Sequence, residues 1–88
     1  MSNVTVYTKP TCPYCHRAKD LLDNLDVPYT EYDVSRDPQL YATIKQRSGM
    51  NTVPQVFAGD TCLGGFSEIS ALHAKGMLLA ALGLTEQP

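Results

Sequence analysis

The residues best suited to chemistry are two cysteines with a two-residue spacer, Cys12 and Cys15 of the segment "PTCPYC". A Cys-x-x-Cys pair can form a structural disulfide, supply half of a metal site, or cycle between dithiol and disulfide. The last possibility requires one cysteine to be a thiolate, because the thiolate rather than the thiol is the nucleophile. Most of what the sequence says about function depends on this choice.

Composition restricts the class of protein. The 88 residues suffice for one domain, and 43% of them are hydrophobic, which is enough for a core without disulfides or a structural metal. We therefore expect residues 1–88 to form a single domain. The formal net charge of −2 comes from interspersed acids and bases without a basic stripe, so nucleic acid is not an expected partner.

The sequence pattern also bears on the compartment. No apolar run is long enough to span a bilayer, and the start "MSNVTVYTKP" lacks the basic and apolar regions of a secretory signal. We expect a cytoplasmic protein with no membrane partner. The chain has 3 cysteines, an odd set, and a structural disulfide does not persist in a reducing compartment. A catalytic pair is therefore favoured over a structural bridge.

Hydrophobic periodicity predicts the elements that position the pair. Capping and turn residues add the expected ends of helices and the turn between the last strands. The predicted elements are a strand over 3–8, a helix from Pro13 with Ala18, Leu21, Leu22 and Leu25, a strand over 27–34, a helix opened by Asp37 and Pro38 and ended by Gly49, strands over 54–58 and 61–64 with a turn at Gly59 and Asp60, a helix from Ser67 to about Lys75, and a last apolar turn with Leu78, Leu79 and Leu82.

This order, β-α-β-α-β-β-α, predicts an α/β fold with a central four-stranded mixed sheet flanked by helices. We expect both strand–helix–strand crossovers to join parallel strands, and the hairpin to add an antiparallel edge. Cys12 then lies past the carboxyl end of a strand and at the N-terminus of a helix, where open α/β sheets hold their sites.

The two cysteines are expected to have different roles. The unpaired N–H groups and positive dipole at the helix N-terminus favour a thiolate at Cys12. Cys15 lies one turn further on the same face, within reach for a disulfide but more buried. We predict that Cys12 attacks and Cys15 resolves. Lys9 adds a positive charge that would stabilise the thiolate or hold an anionic ligand, although the sequence alone favours an ordinary solvated lysine.

Zinc is a weaker alternative. A closed structural site needs four ligands, and beyond the pair the chain offers only Cys62, His16 and His73. No second paired motif accompanies them, and Cys62 falls in a predicted strand, where a free cysteine is usually a small buried apolar residue. We expect no metal.

A proline opens the third predicted strand in "NTVPQVF", residues 51–57. A cis Pro54 there would face the cysteine turn across a cleft and let the Val53 backbone pair with an extended peptide. An ordinary trans proline is the alternative, since only about 5% of X–Pro bonds are cis.

Two glycines precede a predicted helix in "GGFSE", residues 64–68. The N–H groups of Phe66 and Ser67, with the Ser67 hydroxyl and the helix dipole, form a receptor for a carboxylate. A plain turn with Ser67 as the N-cap is the alternative.

The motifs "CPYC", "TVPQVF" and "GGFSE", in this order and with "YTKPTCPYCHRAKDLL" around the first, closely resemble the dithiol glutaredoxins over nearly the whole chain. Thioredoxin proper would typically carry a tryptophan beside its cysteines, and this chain has 0. The resemblance implies a thioredoxin-like fold that uses glutathione as co-substrate. It implies glutathionylated or disulfide-bonded proteins as partners, with ribonucleotide reductase as one candidate, and we expect a monomer.

The resemblance also implies roles for individual residues. Cys12 is the implied nucleophile and Cys15 the implied resolving thiol. Thr52 and Val53 are expected to contact glutathione through their main chain, and Pro54 is expected to be cis. The implied glutathione-binding residues are Lys9, Tyr14, Thr52, Val53, Pro54, Gly65, Phe66, Ser67 and Glu68, the last three around the γ-glutamyl end.

Four positions depart from the common family pattern. Phe66 stands where many relatives have cysteine, and Glu68 stands where aspartate is usual. Tyr41 and Met50 occupy positions where relatives often carry a basic or amide side chain for the glycine carboxylate. The cations left for that carboxylate are Arg47 and Lys9.

Two alternative functions stay open. One is a module that binds an iron–sulfur cluster through Cys12 and glutathione from two copies, although such glutaredoxins mostly have a small residue in place of Pro13. The other is a redoxin electron donor that is reduced by a flavoenzyme of the thioredoxin-reductase type.

Overall fold

The computed structural model describes residues 4–84, so Asn3 of the predicted first strand lies outside the described residues. None of the helices within 4–84 has the length and apolar character required to cross a membrane. The elements are β1 (Val4–Thr8), α1 (Pro13–Asn24), β2 (Thr30–Asp33), a 3₁₀ turn (Val34–Arg36), α2 (Pro38–Ser48), β3 (Gln55–Ala58), β4 (Thr61–Gly64), α3 (Phe66–Ala74) and α4 (Leu78–Ala81).

The four strands form one mixed sheet in the order β2-β1-β3-β4. β1 and β2 are parallel, β1 and β3 are antiparallel, and β3 and β4 form an antiparallel hairpin. The predicted four-stranded mixed sheet with flanking helices is therefore confirmed.

The prediction of a second parallel crossover is wrong. β3 begins beside the carboxyl end of β1, where Gln55 lies opposite Tyr7. β2 finishes at the same end of the sheet, with Asp33 beside Thr8. The connection through the 3₁₀ turn and α2 therefore starts and finishes at one end of the sheet, whereas the parallel rule applies to connections that carry the chain to the opposite end. As a result, the segment before β3 arrives next to the cysteine turn.

Alternate residues of the central strands face two apolar layers, because successive strand residues point to opposite sides of the sheet. Val6 and Val56 pack in a core with Leu22 of α1 and Ile69 of α3. Phe57 packs on the other face with residues that include Ile44 of α2. Helices α1 and α3 therefore share one face of the sheet, and α2 lies on the other.

Local hydrogen bonds explain where two elements differ from their predicted bounds. The strand predicted from Val27 begins at Thr30, because the Val27 N–H still bonds to the Leu22 carbonyl at 2.9 Å as the chain leaves α1. The helix predicted from Ser67 begins at Phe66, with Gly65 as its N-cap. Ser67 is therefore not the N-cap.

The core that supports α1 gives a stability prediction. Leu22 is fully buried, so Leu22→Ala should lower the free energy of unfolding by about 2–5 kcal/mol through lost burial and a residual cavity. The same substitution at Leu79, which is 40% exposed, should cost less than about 0.5 kcal/mol. Urea unfolding of the two variants measures both values, and equal losses would contradict the described core.

Candidate functional site

Cys12 is the N-cap of α1, and its side chain accepts a hydrogen bond from the first turn of the helix. Its backbone is extended, and its Sγ accepts a hydrogen bond from the Cys15 N–H at 3.1 Å. The Cys12 thiol also donates to the Val53 carbonyl at 3.6 Å. Because Cys12 is half-buried, its sulfur combines access to solvent with a helix N-terminus that stabilises negative charge.

Cys15 has the opposite environment. Its side chain is fully buried, and burial, followed by the hydrogen bond with Cys12, raises the pKa of its thiol to about 12. Both cysteines are free thiols in this structure. At neutral pH Cys15 is therefore a protonated thiol that lies behind the accessible sulfur of Cys12.

Side chains tie three successive carbonyl groups of the segment before β3 to the body of the protein. Gln55 is fully buried, and its Nε2 donates to the carbonyls of Met50 at 3.1 Å and Thr52 at 3.0 Å. The Tyr41 hydroxyl donates to the carbonyl of Asn51 at 3.0 Å. This segment is thus fixed by side-chain hydrogen bonds, whereas its neighbour β3 is fixed by the sheet.

Gln55 is a positioning residue that sequence reasoning did not single out. The signal was present, since a glutamine stands among the apolar residues of "PQVFA", and a buried amide requires partners. Its Oε1 has no hydrogen-bond partner among residues 4–84.

The Val53–Pro54 peptide bond is cis, as the family resemblance implies. Pro54 is buried, and its carbonyl would lie 3.1 Å from a Cβ added at Gly65. Because Gly65 has no side chain, the start of α3 can approach Pro54 closely.

The side chain of Glu68, in the first turn of α3, accepts a hydrogen bond from the residue that caps this helix. The Gly65 N–H donates to Glu68 Oε1 at 2.7 Å. Gly64 has a φ of 112°, and a Cβ there would lie 2.6–2.9 Å from Glu68 atoms. The Glu68 carboxylate is thus occupied, while the N–H groups of Phe66 and Ser67 belong to a first turn that has no intrahelical acceptors for them.

A cavity of about 370 Å³ lies among these segments. Tyr14 and Phe66 both line it, and the centroids of their rings lie 6.1 Å apart. Every predicted glutathione-binding residue lines it except Lys9, whose ammonium lies 4.5 Å from the centroid of the Tyr41 ring instead. The lining residues are Tyr14, Met50, Thr52, Val53, Pro54, Gly65, Phe66, Ser67 and Glu68.

The candidate metal ligands are not brought together. Among residues 4–84, no group of three or more His, Cys, Asp or Glu side chains could hold a metal ion. His16 Nε2 lies 3.0 Å from the Pro10 carbonyl, and His73 is exposed on α3. Cys62 is half-buried in β4, where burial raises the pKa of its thiol.

A cysteine pair at the start of a helix, a cis-proline segment beside it and this sheet define a thioredoxin-like dithiol protein. The glutaredoxin family model matches residues 4–63. Glutaredoxin 3 of Escherichia coli (strain K12) is 44% identical over 78 residues, which are 89% of this chain and 94% of that protein. The chain belongs to the glutaredoxin family, whose members are thiol-disulfide oxidoreductases.

Solved structures agree with this assignment. The solution structure of glutaredoxin from Brucella melitensis superposes with a TM-score of 0.82 at 41% identity and covers 98% of this chain and 94% of that one. The crystal structure of a buckwheat glutaredoxin–glutathione complex superposes with a TM-score of 0.85 at 30% identity, covering 93% and 77%. The resemblance to glutaredoxins and the thioredoxin-like fold are thus confirmed.

The hydrogen bonds of Gln55 predict that Gln55→Met loosens the segment before β3. The variant keeps the side-chain length but loses both donors, so the free energy of unfolding should fall by about 1–2 kcal/mol. Gln46→Met, on the exposed side of α2, should change it by less than about 0.5 kcal/mol. In amide NMR spectra, Thr52 and Val53 should shift in the first variant only. Unchanged signals there would show that Gln55 does not hold this segment.

The burial of Cys15 predicts slow alkylation in the variant Cys12→Ser. Burial is the first cause of the raised pKa and persists in this variant, so little thiolate forms at about pH 8. Iodoacetamide should then modify Cys15 at least about 100-fold more slowly than a free thiol. Mass spectrometry of the cysteine-containing peptides measures this rate, with the urea-unfolded variant as the control. Modification of folded Cys15 at the rate of a free thiol would contradict the described burial.

Proposed function

We propose that this glutaredoxin is a glutathione-dependent disulfide oxidoreductase that reduces protein–glutathione mixed disulfides and protein disulfides through Cys12 and Cys15. The observation that carries the proposal is the half-buried Cys12 sulfur, which lies at the N-terminus of α1 and 3.6 Å from the Val53 carbonyl. The structural similarity to a glutaredoxin crystallised with glutathione supports the choice of co-substrate.

The groups around the cavity match those of an extended tripeptide. The main chain of Val53 offers an edge to which the peptide pairs as an added strand. The N–H groups of Phe66 and Ser67 at the start of α3 receive the γ-glutamyl carboxylate. Tyr14 lies beside the peptide, and the glutathione sulfur is then directed to Cys12.

Reduction of a protein–glutathione mixed disulfide requires only Cys12. The Cys12 thiolate attacks the glutathione sulfur, the mixed disulfide breaks, and the protein leaves as a thiolate that takes a proton from solvent. A second glutathione, as its thiolate, attacks the sulfur of the glutathione bound to Cys12. Oxidised glutathione leaves and the Cys12 thiolate is regenerated, so the two electrons come from glutathione.

Reduction of a protein disulfide requires both cysteines. Cys12 forms a mixed disulfide with the protein, and the Cys15 sulfur displaces the second protein thiolate to form the Cys12–Cys15 disulfide, which two molecules of glutathione reduce. Burial, then the hydrogen bond with Cys12, keeps the Cys15 pKa high. Once Cys12 is held in a mixed disulfide, its contribution to that pKa falls, and Cys15 becomes easier to deprotonate.

The proposal extends to the setting of the reaction. The protein partners are glutathionylated or disulfide-bonded proteins, with ribonucleotide reductase as one candidate. The compartment is the cytoplasm, whose glutathione pool is reducing. Residues 1–88 act as a single monomeric glutaredoxin domain without a metal.

Two substitutions separate the two routes. Cys12→Ser should reduce both activities to the uncatalysed background, because it removes the attacking sulfur. Cys15→Ser should lose the reduction of protein disulfides but retain glutathione-dependent turnover of a small mixed disulfide. Cys62→Ser, with its substitution in β4, is the matched control and should retain both.

The assay is the rate of oxidised glutathione formation, measured with the mixed disulfide of glutathione and 2-mercaptoethanol and with a disulfide-bonded protein. If Cys15→Ser alone silenced turnover of the small mixed disulfide, the assigned roles of the two cysteines would be wrong.

A further inference from the structure

Tyr41 of α2 carries two ammonium groups on one ring. The Nζ atoms of Lys9 and Lys45 lie 4.5 Å and 4.4 Å from the ring centroid. The ring is held in place by its hydroxyl, which donates to the Asn51 carbonyl at 3.0 Å. All three side chains belong to half-buried residues, and we call Lys9, Tyr41 and Lys45 the Tyr41 cation cluster.

Neither ammonium group of this cluster has an ion-pair partner in the part of the chain that the structure describes. The ion pairs among residues 4–84 include neither Lys9 nor Lys45. Arg47, one of the cations expected for a carboxylate ligand, bonds to Asp60 at 3.0 Å instead. Two like charges on one ring repel each other, and their attraction to the ring offsets this only in part. A carboxylate bound to either ammonium group would offset the repulsion.

The cluster lies next to the reactive cysteine but outside the cavity. The Lys9 carbonyl accepts the Cys12 N–H at 3.2 Å, and Asn51 directly precedes Thr52 of the cavity wall. None of the three cluster residues lines the cavity. A tripeptide in the cavity would therefore leave Lys45 available to the protein to which glutathione is bonded.

We propose that the Tyr41 cation cluster binds an acidic side chain of the protein substrate, through Lys45, within a few residues of the glutathionylated cysteine. The preferred substrates are then proteins with Asp or Glu beside the modified cysteine. This inference rests on the proposed function, because it assigns a docking surface to the same reaction. It concerns the protein part of the substrate and not the glutathione part.

The test uses two glutathionylated peptides that differ only in Glu or Gln beside the cysteine. The wild-type protein should show a kcat/KM about three- to fivefold higher for the Glu peptide, the range expected of an exposed ion pair. Lys45→Met should abolish this preference by slowing the Glu peptide, and Lys45→Arg should keep it. The control Lys75→Met, at the far end of α3, should also keep it. Added salt should reduce the preference through screening.

A third substrate separates failure of this inference from failure of the proposed function. Wild type and Lys45→Met should turn over the mixed disulfide of glutathione and 2-mercaptoethanol at equal rates. Absence of that turnover in wild type would reject the proposed function itself. Equal kcat/KM for the two peptides in wild type would overturn the docking surface. An equal loss with all three substrates in Lys45→Met would overturn it too, because Lys45 would then act on glutathione.

Discussion

The contact between the Cys12 sulfur and the Val53 carbonyl joins residues that are 41 positions apart, and the site depends on this approach. It is produced by strand direction, because β3 runs antiparallel to β1 and begins where β1 ends. A parallel β3 would begin at the opposite end of the sheet, far from the start of α1. The cysteine pair at the start of α1, the segment before β3 and the start of α3 meet because the chain returns to the same end of the sheet.

One helix turn produces the chemical difference between the two thiols. Cys12 ends the extended approach to α1 and stays in contact with solvent, whereas Cys15 is fully buried on the same face of α1 as Ala18 and Leu22. The hydrophobic effect that packs α1 therefore also protects one sulfur from ionisation. In the proposed function the accessible sulfur begins the exchange, so the proposed order of events follows from the packing of the helix.

Much of the fold is predictable from local patterns. Apolar spacing indicates α1, and the Asp37, Pro38 and Gly49 signals indicate the ends of α2, because these depend on neighbouring residues. The direction of β3 is not predictable in this way, since it depends on pairing with a distant strand. The cysteine pair is recognisable by its spacing. The cavity residues are predicted only by family resemblance, because the residues alone allow a trans Pro54 and a capping Ser67 as alternatives. The hydrogen bonds of Gln55 and the proposed role of Lys45 emerge only when distant segments meet in the folded chain.

The contacts of Glu68 with the two glycines before α3 link positions that appear independent in the sequence. The glutamate reaches back to the Gly65 N–H and occupies the space where a side chain at Gly64 would lie. A side chain at position 64 would clash with the Cβ and Cγ of Glu68, which an aspartate would also carry, and it would be strained at the φ of 112°. Exchanging the acid at position 68 therefore does not free position 64 to vary.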